Sequence, residues 1–527
     1  MPPWRAIFAW FALAPLIWAV LSPACSDRPR PPRQAFLLAY VCGVLWYMGN
    51  CYWIYDTMLI HGGLPPVVSL LLLLGFSLVL GLYFGLFGFG LQLVRRATGS
   101  TRLALVFAPF LWVALELAGA RITSVPWDQL GYSQVDNGIL TLLAPWTGVY
   151  GISFVLVGIS ALTASLQFMN SGSLREKYKA STWRGCIIVG VLLLAEGYSV
   201  LPSSAPTTAT AVLIQPDLDV EHTGFWSGPG EWQQHIADFI HLGGENCKTY
   251  IAGSPQTGAH QGEIVCPPYP THPDLIAWPE SPAPYFEQDP RFLRSMADVA
   301  PAEQAPLVVN GIGSDFDRED GKWRDYVSAM VFDAGGKEVG RYDKIHLVPY
   351  GEYIPFAKLF FFAHKLTGKV SAFTPGDDRK VFHLADGKGA MHRYGIFICY
   401  EAVFADEVRQ FARNGAEVFV NLSDDGWYGD TSAPWQHLNM TRMRAIENRR
   451  WILRATNNGV TAAIDPYGRV RQSIPRHKVD ALPAEFGYRD DITFYAAHGD
   501  VFAWLCVAAS LAGAVIAIIM IGRKPAR

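Results

Sequence analysis

Apolar runs long enough to cross a bilayer, crowded toward both ends of the chain, constrain this sequence more than any other feature. A hydrocarbon core about 30 Å thick is spanned by roughly 20 apolar residues in a helix. About seven stretches meet that measure, near 6–22, 36–55, 67–93, 103–120, 139–168, 186–202 and 501–522. Of the 527 residues 50% are hydrophobic and only 17% charged, against about 25% charged in soluble domains. The excess lies outside residues 203–499, which have the composition of an ordinary globular domain large enough to build its own core. Three parts are therefore expected: residues 1–202 with about six spans, 203–499 as one soluble domain, and 500–527 as a last helix and tail. Pro145 and Gly148 sit inside the fifth stretch, so it should begin as an irregular segment. The first stretch has a weak basic start and is followed by further spans, unlike a cleavable signal peptide.

Basic residues in the short loops orient the spans, because Lys and Arg collect on the cytoplasmic side. Arg28, Arg30 and Arg33 follow the first span, and residues 56–66 carry no Lys or Arg. Arg95, Arg96 and Arg102 come next, then only Arg121, then Arg175, Lys177, Lys179 and Arg184. The tail ends in Arg523, Lys524 and Arg527. Basic and neutral loops alternate, which puts residues 203–499 on the non-cytoplasmic face and the C-terminus in the cytoplasm. An odd number of spans then leaves the N-terminus on the outer side.

Within 203–499, short β-branched and aromatic runs bounded by Gly, Pro, Asn or Asp alternate with helical stretches. Strands are expected at 210–215, 273–278, 307–312, 326–332, 393–398, 416–421, 451–456 and 460–464, and helices at 287–300, 403–414 and 434–449. Pro434 suits a first helical turn, where a missing N–H costs nothing. The alternation predicts an α/β domain, with 252–272 as a loop and no internal sequence repeat. A net charge of −3 and the lack of a basic arm exclude nucleic acid as a partner. The eight cysteines show no CxxC spacing, and there is no HxxxH, P-loop or GxSxG elbow, so no metal or other cofactor is expected. Cys247 and Cys266 lie in a polar tract of the soluble region, where they either pair or remain free thiols.

Three positions could carry chemistry, each at or just beyond an expected strand end, where α/β folds collect functional groups. Glu280, in Trp278-Pro279-Glu280-Ser281, is a carboxylate beside an apolar strand, suited to general base work. Lys344 opens the run KIHLVPYGEYIP at 344–355 and could stabilise an oxyanion or a thiolate. Cys399, in Ile398-Cys399-Tyr400-Glu401, stands where a strand meets a helical stretch, and a helix N-terminus would acidify its thiol. Each residue alone is equally a solvated loop charge or an inert buried thiol. Together they point to covalent catalysis through a thioester, with the carboxylate moving protons.

In this order and context the three sites resemble the nitrilase superfamily and, more closely, the apolipoprotein N-acyltransferases. The likeness covers most of the chain: VPWDQLGYSQ at 125–134, WPES at 278–281, KIHLVPYGEYIP at 344–355, ICYE at 398–401, SDDGWYG at 423–429, PWQH at 434–437, RMRAIENRR at 442–450 and ATNNGVTA at 455–462. It implies a multi-span helical bundle carrying a four-layer αββα sandwich on the periplasmic face of the inner membrane. It assigns Cys399 as nucleophile, Glu280 as base and Lys344 as oxyanion and thiolate stabiliser, with Glu352, Tyr400 and Glu401 in support. It further implies a ping-pong reaction by a monomer. A phospholipid, typically phosphatidylethanolamine, acylates Cys399, and the α-amine of a diacylglyceryl-cysteine lipoprotein takes the chain. The apolar stretch 356–367, with Phe356, Phe360, Phe361 and Phe362, would be an arm guiding acyl chains, or else a helix packed in the core. The chain departs from the family in showing about seven spans rather than eight, in a longer tract between Trp226 and Trp278, and in Gly426 where Ala is common. A membrane-anchored amidase sharing the same three residues is the alternative, and a transporter or scaffold without activity a remoter one.

Overall fold

The computed structural model describes residues 3–23, 30–169, 190, 202, 204–220, 231–244, 248–249, 264–265, 272–280, 285–319, 321–349, 351–353 and 373–523. It divides into two compact units. One comprises Met1–Asp56, Pro65–Pro202 and Thr493–Arg527, the other Thr57–Leu64 and Ser203–Ile492.

The first unit is helical. Among the described residues, the helices Pro66–Thr98, Thr101–Ile122, Val149–Phe168 and Val501–Gly522 are long and apolar enough to cross a membrane. The helices Pro32–Asn50 and Trp53–Ile60, bent by 51° at their junction, together make a fifth such stretch. The first expected span is two short helices, Pro3–Ala9 and Ala14–Leu21, and nearly all of 186–202 lies outside the described residues. Proline starts the helices at 32 and 66, where its ring fits the first turn. The helix Pro66–Thr98 stops at Gly99, whose φ of 71° is left-handed, and Ser100 caps the next helix by accepting from the Leu103 N–H. The fifth stretch is broken as Pro145 and Gly148 imply, and its long helix begins only at Val149. Leu71, Val106, Leu505 and Leu511 point outward and exposed, a surface suited to lipid rather than water.

Close helix contact in this unit uses small residues, since between helices in lipid there is little hydrophobic drive and packing decides. A Cβ on Gly88 would lie 2.6 Å from the Ala35 carbonyl oxygen of the neighbouring helix. Buried polar groups fix the loop 125–134. Glu116 Oε1 accepts from the Trp112 indole and the Leu130 N–H, both at 2.9 Å. Asp128 accepts from Trp46 at 2.6 Å and Asn50 at 2.9 Å, and Gln134 accepts from Trp10 at 3.1 Å. Glu116 thus ties the loop to the bundle.

The second unit contains two six-stranded sheets among the described residues. Its main strands are β1 (Ala209–Gln215), β2 (Leu275–Ala277), β3 (Leu307–Asp317), β4 (Lys322–Phe332), β5 (Glu338–Asp343), β6 (Val381–Ala385), β7 (Met391–Ile398), β8 (Val418–Ser423), β9 (Ile452–Thr456), β10 (Thr461–Ile464), β11 (Val470–Ile474) and β12 (Asp480–Phe486). The sheet orders are β12-β1-β2-β3-β4-β5 and β11-β10-β9-β8-β7-β6. In each sheet three central strands are parallel, β1-β2-β3 and β7-β8-β9, and the remaining neighbours are antiparallel. The helices Glu231–Gly244 and Pro290–Glu303 interleave with the first trio, and Ala405–Arg413 and Ala433–Asn448 with the second. The same β-α-β-α-β-β-β order therefore occurs twice, although no sequence repeat marks it.

The first helix pair covers one sheet through Phe239, Phe292 and Met296, packed on Ile276, Trp278 and Met330. Strands β1 and β9 bring the two sheets face to face, so helix, sheet, sheet and helix form four layers. Each expected strand and helix of this region is present. Strands β5, β6, β11 and β12, the helix at 231 and a short antiparallel pair, Lys248–Thr249 with Ile264–Val265, lie beyond the sequence expectation, the second strand of that pair within the stretch 252–272 expected as a loop.

Gly88→Leu should lower stability by about 1–3 kcal/mol or more through overpacking, read as an earlier thermal melt of detergent-solubilised protein. Leu71→Ala on the outer surface should stay within about 0.5 kcal/mol of wild type. Equal melting temperatures for Gly88→Leu and wild type would refute the close contact.

Candidate active site

Parallel strands deliver the residues beyond their ends to one edge of a sheet, and here those residues carry the ionisable groups. Glu280 lies three residues beyond β2, Lys344 comes directly after β5, Cys399 after β7 and Asp424 after β8. Four positions remote in sequence thus become neighbours.

Lys344 is the centre. Its side chain is 0% exposed, and its Nζ lies 3.1 Å from Glu280 Oε1 and 2.5 Å from Glu352 Oε1. A lone ammonium in such a place would lose its proton. Burial pushes the Lys344 pKa down, but Glu280, Glu352 and Cys399 more than reverse this and hold it well above the usual lysine range. The carboxylates are themselves fixed. Glu280 Oε2 accepts from the Asp424 N–H at 3.0 Å, and Glu352 Oε2 from the Val348 N–H at 2.8 Å. Burial raises the Glu352 pKa, opposed by Lys344 and reinforced by Glu280. Asp424, buried beside Glu280, is pushed well above the ordinary carboxylate range despite the donors Gly426 N–H and Asn457.

Glu401 fastens the lysine loop to the strand that ends just before Cys399. Its Oε1 accepts from the Tyr342 hydroxyl at 2.7 Å, the Ile345 N–H at 2.8 Å and the His346 N–H at 3.2 Å. Its Oε2 accepts from the Ile398 N–H at 2.7 Å. One carboxylate therefore ties the residues on either side of Lys344 to the residue before Cys399. Burial still raises its pKa. Tyr400 sets its ring edge-on against Phe404, with centroids 5.2 Å apart.

Cys399 sits on a tight elbow with φ of 47°, a left-handed conformation that costs a non-glycine residue of order 1–3 kcal/mol and clusters at active sites. The thiol departs from the sequence expectation. Burial raises its pKa well above the usual thiol range, Glu280 raises it further, and Lys344 only partly offsets this. The physical reason is local. Cys399 opens a five-residue 3-10 turn, Cys399–Val403, too short for an effective helix dipole, and desolvation dominates.

His437 and Asp425, present in the sequence only as members of motifs, and Arg454, present only as part of the strand expected at 451–456, complete the surroundings. His437 Nε2 lies 3.0 Å from the Cys399 carbonyl oxygen, and its Nδ1 lies 2.8 Å from Asp425 Oδ1. Arg454 Nη2 donates to Asp425 Oδ2 at 2.7 Å. All three are fully buried. Against burial, Arg454 and His437 hold the Asp425 carboxyl well below the ordinary range. SDDGWYG and PWQH contained the signal, but a single His twelve residues from an Asp does not announce a contact. Phe356, Phe360, Phe361 and Phe362 of the expected arm lie outside the described residues, as do Cys247, Cys266 and Trp226.

The chain matches the model of the apolipoprotein N-acyltransferase N-terminal domain over residues 1–162 and that of the carbon-nitrogen hydrolases over residues 262–480. It is 34% identical to an apolipoprotein N-acyltransferase of Geobacter metallireducens over 522 residues, covering 98% of this chain and 91% of the relative. An apolipoprotein N-acyltransferase of Pseudomonas putida is 30% identical, covering 92% and 90%. Among solved structures, Saccharomyces cerevisiae Nit3, a member of branch 10 of the nitrilase superfamily, matches with 16% identity and a TM-score of 0.35, over 54% of this chain and 93% of its own.

The electrostatics fix the sign of a pH experiment. A thiol whose pKa is raised reacts as thiolate only at higher pH. Alkylation of Cys399 by iodoacetamide should therefore still be accelerating above about pH 8.5, where an ordinary thiol is half ionised. Glu280→Gln removes a raising charge and should shift the rise to lower pH, and Lys344→Met removes a lowering one and should shift it higher. Mass spectrometry of the Cys399 peptide reads the rate, with thermal melting as the control for folding. Opposite shifts would overturn the assignment of these charges.

Proposed function

Since the chain belongs to the apolipoprotein N-acyltransferase family, we propose that it moves an acyl chain from a membrane phospholipid onto the N-terminal α-amine of diacylglyceryl-cysteine lipoproteins, through a thioester on Cys399. The observation that carries this reading is the wholly buried Lys344 between Glu280 and Glu352, acting electrostatically on the Cys399 thiol.

In the first half-reaction the Cys399 sulfur attacks the ester carbonyl of the donor while its proton passes to Glu280. The raised thiol pKa makes a base necessary at neutral pH. The oxyanion is met by the Lys344 ammonium and the Tyr400 backbone N–H, charges fixed before the reaction begins. Collapse breaks the C–O bond, and the leaving alkoxide takes the proton from Glu280 and departs as a lysophospholipid. In the second half-reaction the lipoprotein amine attacks the thioester and gives its proton to Glu280. The C–S bond breaks, the sulfur recovers that proton, and an amide remains. Glu352 keeps Lys344 in position, and Glu401 keeps the lysine loop and the nucleophile strand in register. No cofactor enters the balance.

The donor is phosphatidylethanolamine, and the enzyme works as a monomer. The stretch 356–367, with Phe356, Phe360, Phe361 and Phe362, guides acyl chains. Residues 1–202 and 500–527 anchor the catalytic domain 203–499 on the periplasmic face of the inner membrane, with the C-terminus in the cytoplasm. The alternating basic loops support that orientation.

Wild type incubated with phosphatidylethanolamine should gain one acyl mass, which Cys399→Ala should not. A diacylated lipopeptide should then discharge the adduct and itself gain the chain. Absence of any adduct on wild type would favour a small-amide hydrolase. A phosphatase fused after Arg527 should be inactive in cells, and an active fusion would overturn the orientation.

A further inference from the structure

The row Arg454, Asp425 and His437 is an expensive arrangement. Taking two or three charges out of water costs several kcal/mol per ion, and buried ionic groups can often be replaced by apolar ones without loss of stability. Stability alone gives a poor account of why a cation, an anion and an imidazole stand in line with none of them exposed. Their geometry says what the row acts on.

A carbonyl oxygen only accepts, so the 3.0 Å contact between His437 Nε2 and the Cys399 carbonyl requires the proton on Nε2. An ionised carboxylate also only accepts, so the 2.8 Å contact with Asp425 is an N–H donated from Nδ1. Asp425 is held in turn by Arg454 at 2.7 Å and by the Ser423 hydroxyl at 3.1 Å. Arg454 has a second reach. It donates to the Asn421 amide oxygen, and the Asn421 NH₂ donates to the Phe397 carbonyl at 3.2 Å. One buried guanidinium thus holds the nucleophile strand at two carbonyls, Phe397 through Asn421 and Cys399 through Asp425 and His437. The second is the carbonyl of the residue with φ of 47°. It belongs to the same peptide unit as the Tyr400 N–H, so a donor on the oxygen fixes the plane of that unit and polarises its N–H.

We propose that His437, oriented by Asp425 and Arg454, is a positioning residue that locks the Cys399–Tyr400 peptide in its left-handed turn and thereby aims both the thiolate and the Tyr400 N–H at the reacting carbonyl. This rests on the reading of Cys399 as the acyl-accepting nucleophile. Arg454 and Asp425 reach that peptide and the strand before it through His437 and Asn421.

Two variants separate this role from a merely structural one. In His437→Gln the side-chain amide nitrogen falls near the site of Nε2 and keeps a donor on the Cys399 carbonyl. In His437→Asn the amide falls near Nδ1, keeps the contact to Asp425 and withdraws from the carbonyl. Both lose the ring and should melt earlier by similar amounts. The rate of acyl-adduct formation from phosphatidylethanolamine and the rate of Cys399 alkylation by iodoacetamide are then compared at 20 °C on folded, monodisperse protein. Acylation should stay near wild type in His437→Gln and fall by about 10²-fold in His437→Asn, the scale of a misplacement near 1 Å. Alkylation should fall in the same order. Equal rates in the two variants, or a faster His437→Asn, would overturn the proposal. Should wild type form no adduct, the acyl-transfer reading fails separately, and alkylation alone still decides whether the row positions the thiol.

Discussion

The catalytic unit is organised around one ammonium group that has no water. Lys344 has its whole side chain inside the protein, and only the pairing with Glu280 and Glu352 keeps a charge there tolerable. The requirement propagates outward. Two carboxylates near one ammonium must be separated and oriented, so each spends its second oxygen on a backbone N–H, Asp424 or Val348. Those N–H groups belong to residues beyond β8 and in the lysine loop, which fixes how the two halves of the domain meet. Removing either carboxylate would withdraw one of the charges that hold the Lys344 ammonium above the usual lysine range.

Burial also sets the chemistry. The same desolvation that makes the ion pairs strong raises the Cys399 thiol. A resting thiol differs from a preformed thiolate in being less exposed to adventitious oxidation or alkylation. A helix N-terminus would have produced the opposite resting state, and the chain does not provide one, since Cys399 begins only a short 3-10 turn.

Much of this was legible in the sequence. The central strands are runs such as VFVNLS and RYGIFI, buried along their length or at their inner ends, and continuous apolar β-branched stretches declare themselves. The strands that escaped are peripheral. In β11 and β5 most side chains are at least partly exposed, so the apolar signal is diluted. In β12 Pro483 argues against a strand, and it is accommodated because β12 lies at a sheet edge with only β1 beside it. At the site, Glu280, Lys344, Glu352 and Cys399 were readable because each stands in a dense local motif. His437, Asp425 and Arg454 come together only once a helix, a 3-10 turn and a strand are packed, and pairwise distances of that kind have no local spelling.

The repeated strand–helix order has its own bearing on the site. By position in that repeat, β2 and β8 are counterparts, and each is succeeded by an acid: Glu280 in one half, Asp424 in the other. The two meet where the sheets face each other, the Asp424 N–H donating to Glu280. They differ in their surroundings. Burial holds the Asp424 pKa well above the ordinary carboxylate range, while Glu280 faces the Lys344 ammonium at 3.1 Å. The repeated strand order offers matching posts to both halves, and their partners make them unequal: one accepts from the Gly426 N–H and Asn457, the other faces the buried lysine. Asymmetry here is a matter of what each carboxyl is bonded to before it is one of backbone shape.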